Sequence, residues 1–379
     1  MDKGGMDAAP PPPPRSPASL RWSILRKSLL RRPSAAPDDP SEVNTKNVSR
    51  KRGGVFNLIP CHPVDDSDSV EVVEATLRAK DLVGPRDVCT RYKLPLENGP
   101  GLRFLFPNMI AEANKWLQFL SSSLDKECKL IRSIFVYVIL LIKNQLVRGF
   151  QRMEDCVDLN DFEISTRFDI DTTGLVCNWP SEDVLAYFCV NHPFMFRSKR
   201  VIELGSGYGL AGLAIAASSD AQEVVISDGN PNVVDYIQHN ISLNAQVFGA
   251  TKVQSMILHW NQDLVSDVLS SFDVVVASDC TFFKQFHESL ACTVKSLLKR
   301  SEVSEAIFLS PKRGDSLVKF IEKIKEIGLD YKLLENYDTH VWNIHQKLLK
   351  GDDSTWANYD PDHCYPLLLR MTFPAHEYK

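Results

Sequence analysis

Four glycines crowd into "VIELGSGYGLAGLAIA", residues 201–216: Gly205, Gly207, Gly209 and Gly212. Glycine at such a turn permits positive φ and lets a ligand approach the backbone without a Cβ in the way. Ser206 sits between the first two, and Glu203 lies just before them in the apolar run. A second apolar run, "EVVISDGN", ends at Asp228. That is roughly where a carboxylate meets ribose hydroxyls in nucleotide-binding βαβ units. The plainer role for Asp228 is a helix N-cap, although Asn230 before Pro231 offers itself for the same job. A third run, "FDVVVASDCTFF", ends in Ser278 and Asp279, followed by Phe282 and Phe283. An acid and aromatic rings at a strand end can hold an amine; a turn acid and core phenylalanines are the bland alternatives.

The glycine loop asks which nucleotide it serves. Taken as letters, "GYGLAG" from Gly207 matches the dinucleotide fingerprint G-x-G-x-x-G. The match begins two residues late. Counted from Gly205, the third glycine should fall at position 210, which is Leu210. Glu203 would oppose a pyrophosphate. It suits a ligand with a positive sulfonium and an ammonium group, such as S-adenosylmethionine. Asp228 does not discriminate, because both ligands carry the ribose. An NAD-binding oxidoreductase and a tight turn with no ligand are therefore the weaker readings.

These residues need a scaffold that brings three strand ends together. Strand-length apolar runs near 200–204, 223–227, 253–258, 272–278 and 305–310 alternate with helical patterns at 210–219, 231–246, 284–300 and 315–327. Such alternation predicts a doubly wound α/β sheet. Pro180, followed by Glu182 and Asp183, marks another helix start. "YPLLLRMTF" supplies a last strand near the C-terminus.

The 379 residues divide by composition. Residues 1–85 are rich in Pro, Ser and charge and read as mostly disordered. Within them, "SLRWSILRKSLLRR", Ser19–Arg32, outlines a basic amphipathic helix with Trp22, Leu25 and Leu29 on one face. Its chemistry suits an acidic partner's groove as well as a targeting role. Residues 86–173 read as a β extension, beginning with "VCTRYKLPL" and interrupted by an atypical insertion at about 102–149; residues 174–379 read as the enzyme domain. The apolar run at 130–142 is short for a membrane span, so no stable membrane insertion is expected. Net charge of −5 gives no signal for nucleic acid. Nine scattered cysteines without a C-x-x-C pair read as reduced thiols, with neither a metal site nor a disulfide frame. With no apolar leader visible, the expected compartment is the cytoplasm, with the nucleus second.

Beyond single motifs, the blocks "DTTGLVCNWPSEDVLAYF", "VIELGSGYGLAGLAIA", "VVISDGNPNVVDYIQHN", "LHWNQD", "ASDCTFFKQFHESL", "SPKRGDSL" and "HCYPLLLRM" resemble the class I methyltransferases of the lysine-methylating group, family 16. Within that family the likeness is to the plant-like branch acting on calmodulin. The resemblance covers about residues 150–373 and a short piece at 86–101. It implies a Rossmann-like seven-strand sheet with an N-terminal β extension, S-adenosylmethionine as cofactor and calmodulin as protein substrate. It also implies residue roles. Trp179 would line the cofactor pocket, Gly205, Ser206, Gly207 and Gly209 would approach the methionine part, and Asp228 would hold the ribose. Trp260 would sit by the adenine, and Ser278 takes the small-residue position before Asp279. Asp279 opens a D-x-x-Y motif whose fourth position here is Phe282, so no phenol acts there; Asp279, Phe282 and Phe283 form the expected catalytic set. Residues 102–149 have no place in the resemblance, which keeps a catalytically silent binding protein as the alternative.

Overall fold

The computed structural model describes residues 56–63, 87–94, 146–152, 174, 179–261, 266–351 and 359–375. The expected helix at 19–32 and most of the insertion, including 130–142, lie outside them. Two sheets organise the chain. Strands β1 (Cys61–Pro63), β2 (Asp87–Lys93) and β3 (Leu146–Arg152) form a small antiparallel sheet in that order. The main sheet has seven strands: β4 (Arg200–Leu204), β5 (Glu223–Asp228), β6 (Lys252–Ile257), β7 (Val274–Ser278), β8 (Glu305–Ser310), β9 (Asp330–Leu334) and β10 (Leu367–Thr372). Their order is β6-β5-β4-β7-β8-β10-β9, and β10 runs antiparallel to both its neighbours.

The small sheet fits the expected β extension, with two differences. β1 lies before residue 86, and Phe56, Leu58 and Ile59 ahead of it are buried in the main core. β3 begins inside the stretch read as insertion, because Leu146 pairs with Lys93 and the register runs on to Arg152 opposite Asp87. The long connection therefore leaves and rejoins the sheet at one point, where a hairpin turn would serve. Loop-closure cost grows only logarithmically with length, so such a position tolerates extra chain.

In the main sheet, side chains alternate between two helix layers, as a sheet buried on both faces requires. Val201, Val224, Ile226, Val276 and Ile307 face one core, shared with α1 (Pro180–Asn191), α2 (Leu210–Ser218), α3 (Pro231–Asn244) and α6 (Thr339–Leu349). Ile202, Val225, Val275 and Phe308 face the other, closed by α4 (His287–Leu297) and α5 (Ser316–Glu326). A short helix, α7 (Pro361–Cys364), leads into β10.

The expected strands and helices from 200 to 327 are present within a few residues. β9 and α6 go beyond them. The β9 residues are mostly exposed at the sheet edge, so no apolar alternation marks them. Helix α6 does carry a start signal: Asp338 accepts the amides of His340 and Val341.

Because β4, β5 and β7 are parallel, Leu204, Asp228 and Ser278 end at one edge of the sheet. Strand β4 has β5 on one side and β7 on the other. The loop after it therefore opens at the switch point, where open α/β sheets bind ligands.

Candidate active site

The glycine loop leaves β4 through three left-handed residues, Gly205 (φ +57°), Gly207 (+54°) and Gly209 (+79°). At Gly205 the space is also restricted. A Cβ there would lie 2.7 Å from Cys280 Sγ and 3.1 Å from Trp260 Cζ2. Trp260 thus stands directly against the first glycine. Gly209 and Gly212 serve packing. A Cβ at either would meet Ile226, at 2.9 Å and 2.6 Å respectively, so α2 can lie against β5 only with glycine there. That leaves Gly209 with a structural reason of its own, apart from any contact with a ligand.

Asp228 is aimed at the same loop. Its Oδ2 accepts the Gly207 amide at 3.1 Å, and its Oδ1 accepts the Asn230 amide at 2.9 Å. The helix cap is Asn230, whose side chain accepts the Asn232 amide at 3.0 Å. The cap alternative for Asp228 is thereby excluded. Each carboxylate oxygen can take more than one hydrogen bond, so a carboxylate oriented by two amides suits a pair of ribose hydroxyls. Two buried polar atoms without partners, Ser206 Oγ and Asn230 Nδ2, flank this turn. These features fit a nucleoside ligand. Asp228→Ala is expected to weaken S-adenosylmethionine binding by ~1.5–3 kcal/mol, since hydroxyls and amides both lose their acceptor. Calorimetric titration checks it, and wild-type affinity would remove the assignment.

Glu203 needs correction. It is fully buried and its Oε2 accepts the Gly212 amide at 2.8 Å. Beside it, Glu182 accepts the Ala211 amide at 2.7 Å and the Ser278 hydroxyl at 2.5 Å. The two acids accept N-terminal amides of α2, groups that have no partner within the helix. Burial pushes both carboxyls up, Glu203 well above its usual range, with the Glu182 charge adding to the rise. A carboxyl so placed positions the loop from beneath and does not offset a sulfonium charge in the pocket. Ser278, expected at the cofactor, spends its hydroxyl on this network. Glu182 was legible only as an acid in a first helical turn; nothing in the sequence marks its partners.

The acceptor side is built on the loop after β7. Asp279 has φ +51° and is forked by Arg313, with Nη2 at 2.5 Å from Oδ2 and Nε at 3.3 Å from Oδ1. Burial raises the Asp279 carboxyl, and the Arg313 charge pulls it down. Arg313 Cζ lies 5.1 Å from the Phe282 ring centroid and 6.0 Å from that of Trp179. Phe282 is 41% exposed and meets Phe283 edge-on at 4.6 Å. Phe283 touches Phe286, which touches Trp260, so an aromatic run joins this loop to the glycine turn. The loop is pinned from below by Ser316 Oγ, which donates to Thr281 O at 2.6 Å, and by His287 Nε2, 2.8 Å from the same oxygen. Among the described residues no cluster of His, Cys, Asp and Glu could hold a metal ion.

A seven-strand sheet with one reversed strand, a glycine loop at the switch point and an acid closing the next strand defines a class I methyltransferase. Residues 172–327 match the family model described as "Lysine methyltransferase". The calmodulin-lysine N-methyltransferase of Arabidopsis thaliana is 49% identical over 361 residues, spanning 95% of this chain and 98% of that protein. The mouse protein-lysine N-methyltransferase EEF2KMT is 30% identical over 42% of this chain and 50% of its own length. The protein N-terminal and lysine N-methyltransferase efm7 of Schizosaccharomyces pombe is 28% identical over 32% of this chain and 49% of its own. The chain belongs to the lysine methyltransferase family.

Proposed function

We propose that this enzyme methylates calmodulin, transferring methyl groups from S-adenosylmethionine to a lysine ε-amine. The observation that carries the acceptor is the near full-length identity with the Arabidopsis enzyme of that activity. When bound, S-adenosylmethionine would supply an electrophilic methyl on a sulfonium, with a neutral thioether as the leaving group that takes the C–S electron pair as the N–C bond forms. Gly205 and Gly207 give it close backbone approach, Asp228 takes its ribose, and Trp260 and Trp179 offer aromatic faces. On the other side, Phe282 and Phe283 form an apolar wall beside Asp279. Free lysine has a pKa near ~10.4, so little of it is neutral at pH 7. A partly desolvated approach along these rings favours the free amine. Its proton leaves to solvent before attack, and no strong base is required. The aromatic faces also accept a methylammonium product.

The cytoplasm, with the nucleus as a second compartment, belongs to the same proposal. Its support is chemical: among the described residues Cys61, Cys189, Cys280, Cys292 and Cys364 form no disulfide. Among the described residues, no helix is long and apolar enough to cross a membrane.

The test is incubation with methyl-labelled S-adenosylmethionine and unmethylated calmodulin, alone and in a cell extract. A labelled calmodulin band is expected in both. Label on another protein with none on calmodulin overturns the acceptor.

A further inference from the structure

Arg313 has no role in the chemistry so far, yet it joins the two halves of the site. Its guanidinium forks Asp279 and lies near both the Phe282 and Trp179 rings, one ring from each side of the site. Its side chain is only 7% exposed. Arg313, like Asp279, has a left-handed backbone, φ +49° against +51°. Both are non-glycine residues in a region side chains rarely adopt. The surroundings hold them there. Arg313 N donates to Asp362 O at 2.9 Å, Gly314 N donates to Asp362 Oδ2 at 2.6 Å, and Asp279 N donates to Leu309 O at 3.0 Å.

We propose that Arg313 is a positioning residue that neutralises and aims Asp279, so that the target lysine meets it as a free amine. The argument is electrostatic and rests on the lysine reading above. A bare carboxylate in a desolvated site attracts the ammonium form of an incoming lysine and holds it protonated. An ammonium has no lone pair with which to attack. With its charge met by the guanidinium, Asp279 can accept a hydrogen bond from a neutral amine without trapping the proton. The planar fork also fixes the carboxylate in one orientation, which a lysine at 313 could not do. The other groups that face this pair are few. His363 acts on Asp279 from α7, itself paired with Asp360 at 2.8 Å, and the Cys280 and Cys364 thiols lie close enough to feel Asp279. Lys284 is taken by Asp315. Arg313 is thus the one cation bonded to Asp279 among the described residues.

The test compares wild type with Arg313→Met, Arg313→Lys, Asp279→Asn and the double variant Asp279→Asn/Arg313→Met. Single-turnover methylation of calmodulin is followed from pH 6.5 to 10. In Arg313→Met the rate at pH 7.5 should fall ~10-fold or more, and the rising alkaline limb should move up by about one pH unit. Affinity for S-adenosylmethionine should change less than threefold. The double variant should return the limb to its wild-type position, because no bare carboxylate remains. Arg313→Lys should restore the limb but not the full rate, since its charge returns without the fork. A loss of rate in Arg313→Met with an unmoved limb makes the residue merely structural and overturns the proposal, as does an unchanged rate. A second arm needs no acceptor. Carboxyl NMR of the Asp279 side chain should show it titrating about one pH unit or more higher in Arg313→Met than in wild type, and an unchanged titration overturns the clamp. Wild type that labels no calmodulin would defeat the function proposed above, while the carboxyl arm still decides this one.

Discussion

Gly205→Ala should lower affinity for S-adenosylmethionine by ~100-fold or more while the fold persists. Two independent costs meet at this residue. Its φ of +57° is left-handed, which costs a non-glycine residue ~1–3 kcal/mol. The new Cβ would also stand 2.7 Å from Cys280 Sγ and 3.1 Å from the Trp260 ring. Neither neighbour gives way freely. Cys280 Sγ is hydrogen-bonded to Leu204 O at 3.3 Å, and Trp260 leans on Phe286 with 6.0 Å between ring centres. Relief must come from the turn itself, which carries the backbone that faces the ligand. Removing one obstacle should restore part of the loss, so Gly205→Ala/Cys280→Ala is expected to bind more tightly than Gly205→Ala alone. Gly212→Ala provides the contrast. Its Cβ would strike Glu203 Oε2 and Ile226 Cγ1 at 2.6 Å, far inside the packing of α2. That variant should lose several degrees of melting temperature and retain relatively more of its affinity per degree lost. Calorimetric titration and thermal denaturation on the same preparations separate the two, and wild-type affinity in Gly205→Ala would sink the account of the loop.

The contrast between these glycines also shows what the sequence can and cannot say. Gly205 and Gly212 look alike in a string, and a fingerprint counts both. One faces a ligand turn and the other a helix–strand contact, and only the strand opposite, through Ile226, tells them apart. Asp228 was legible because β-α-β geometry places the end of the second strand beside the loop after the first. The central strands β4, β5, β7 and β8 were legible because they are buried and read as continuous apolar runs. The edge strand β9, exposed on nearly every residue, left no such trace. Arg313 stayed silent for another reason. It lies 34 residues from Asp279, and their pairing follows from β7 and β8 being neighbours in the sheet, with both loops leaving the same edge. Glu203 misleads for a related reason. An acid at a strand end suggests a charge for the ligand, but the helix amides behind the strand claim it first.

That buried acid cluster gives the second large effect, and its sign runs against ordinary acid denaturation. Asp183, Glu182 and Glu203 are all buried, and burial raises all three carboxyls; Asp183 reaches about 7 from an ordinary value of 3.8. The folded state therefore binds more protons than the unfolded chain across the interval between those values. Stability from these groups is fully present below about pH 4 and is lost as pH rises through the folded values. For Asp183 alone the loss between pH 4 and pH 8 is on the order of 4 kcal/mol, because a tenfold change in proton affinity is worth ~1.36 kcal/mol. Asp183→Asn removes the ionisation while keeping the shape. It should melt roughly 8–16 °C above wild type at pH 8, at about 2–4 °C per kcal/mol, and come close to wild type only near pH 4. Glu203→Gln should act in the same direction, because an amide oxygen still accepts the Gly212 amide and its NH2 can donate to Glu182. Comparing variants with wild type at one pH removes the contributions that are common to all of them. If the stability gap between Asp183→Asn and wild type is the same at pH 5 and pH 8, these carboxyls do not share protons as the fold requires. If the gap widens with pH, the helix that carries the glycine loop rests on acids held neutral by burial, and cofactor affinity should weaken in step as they ionise.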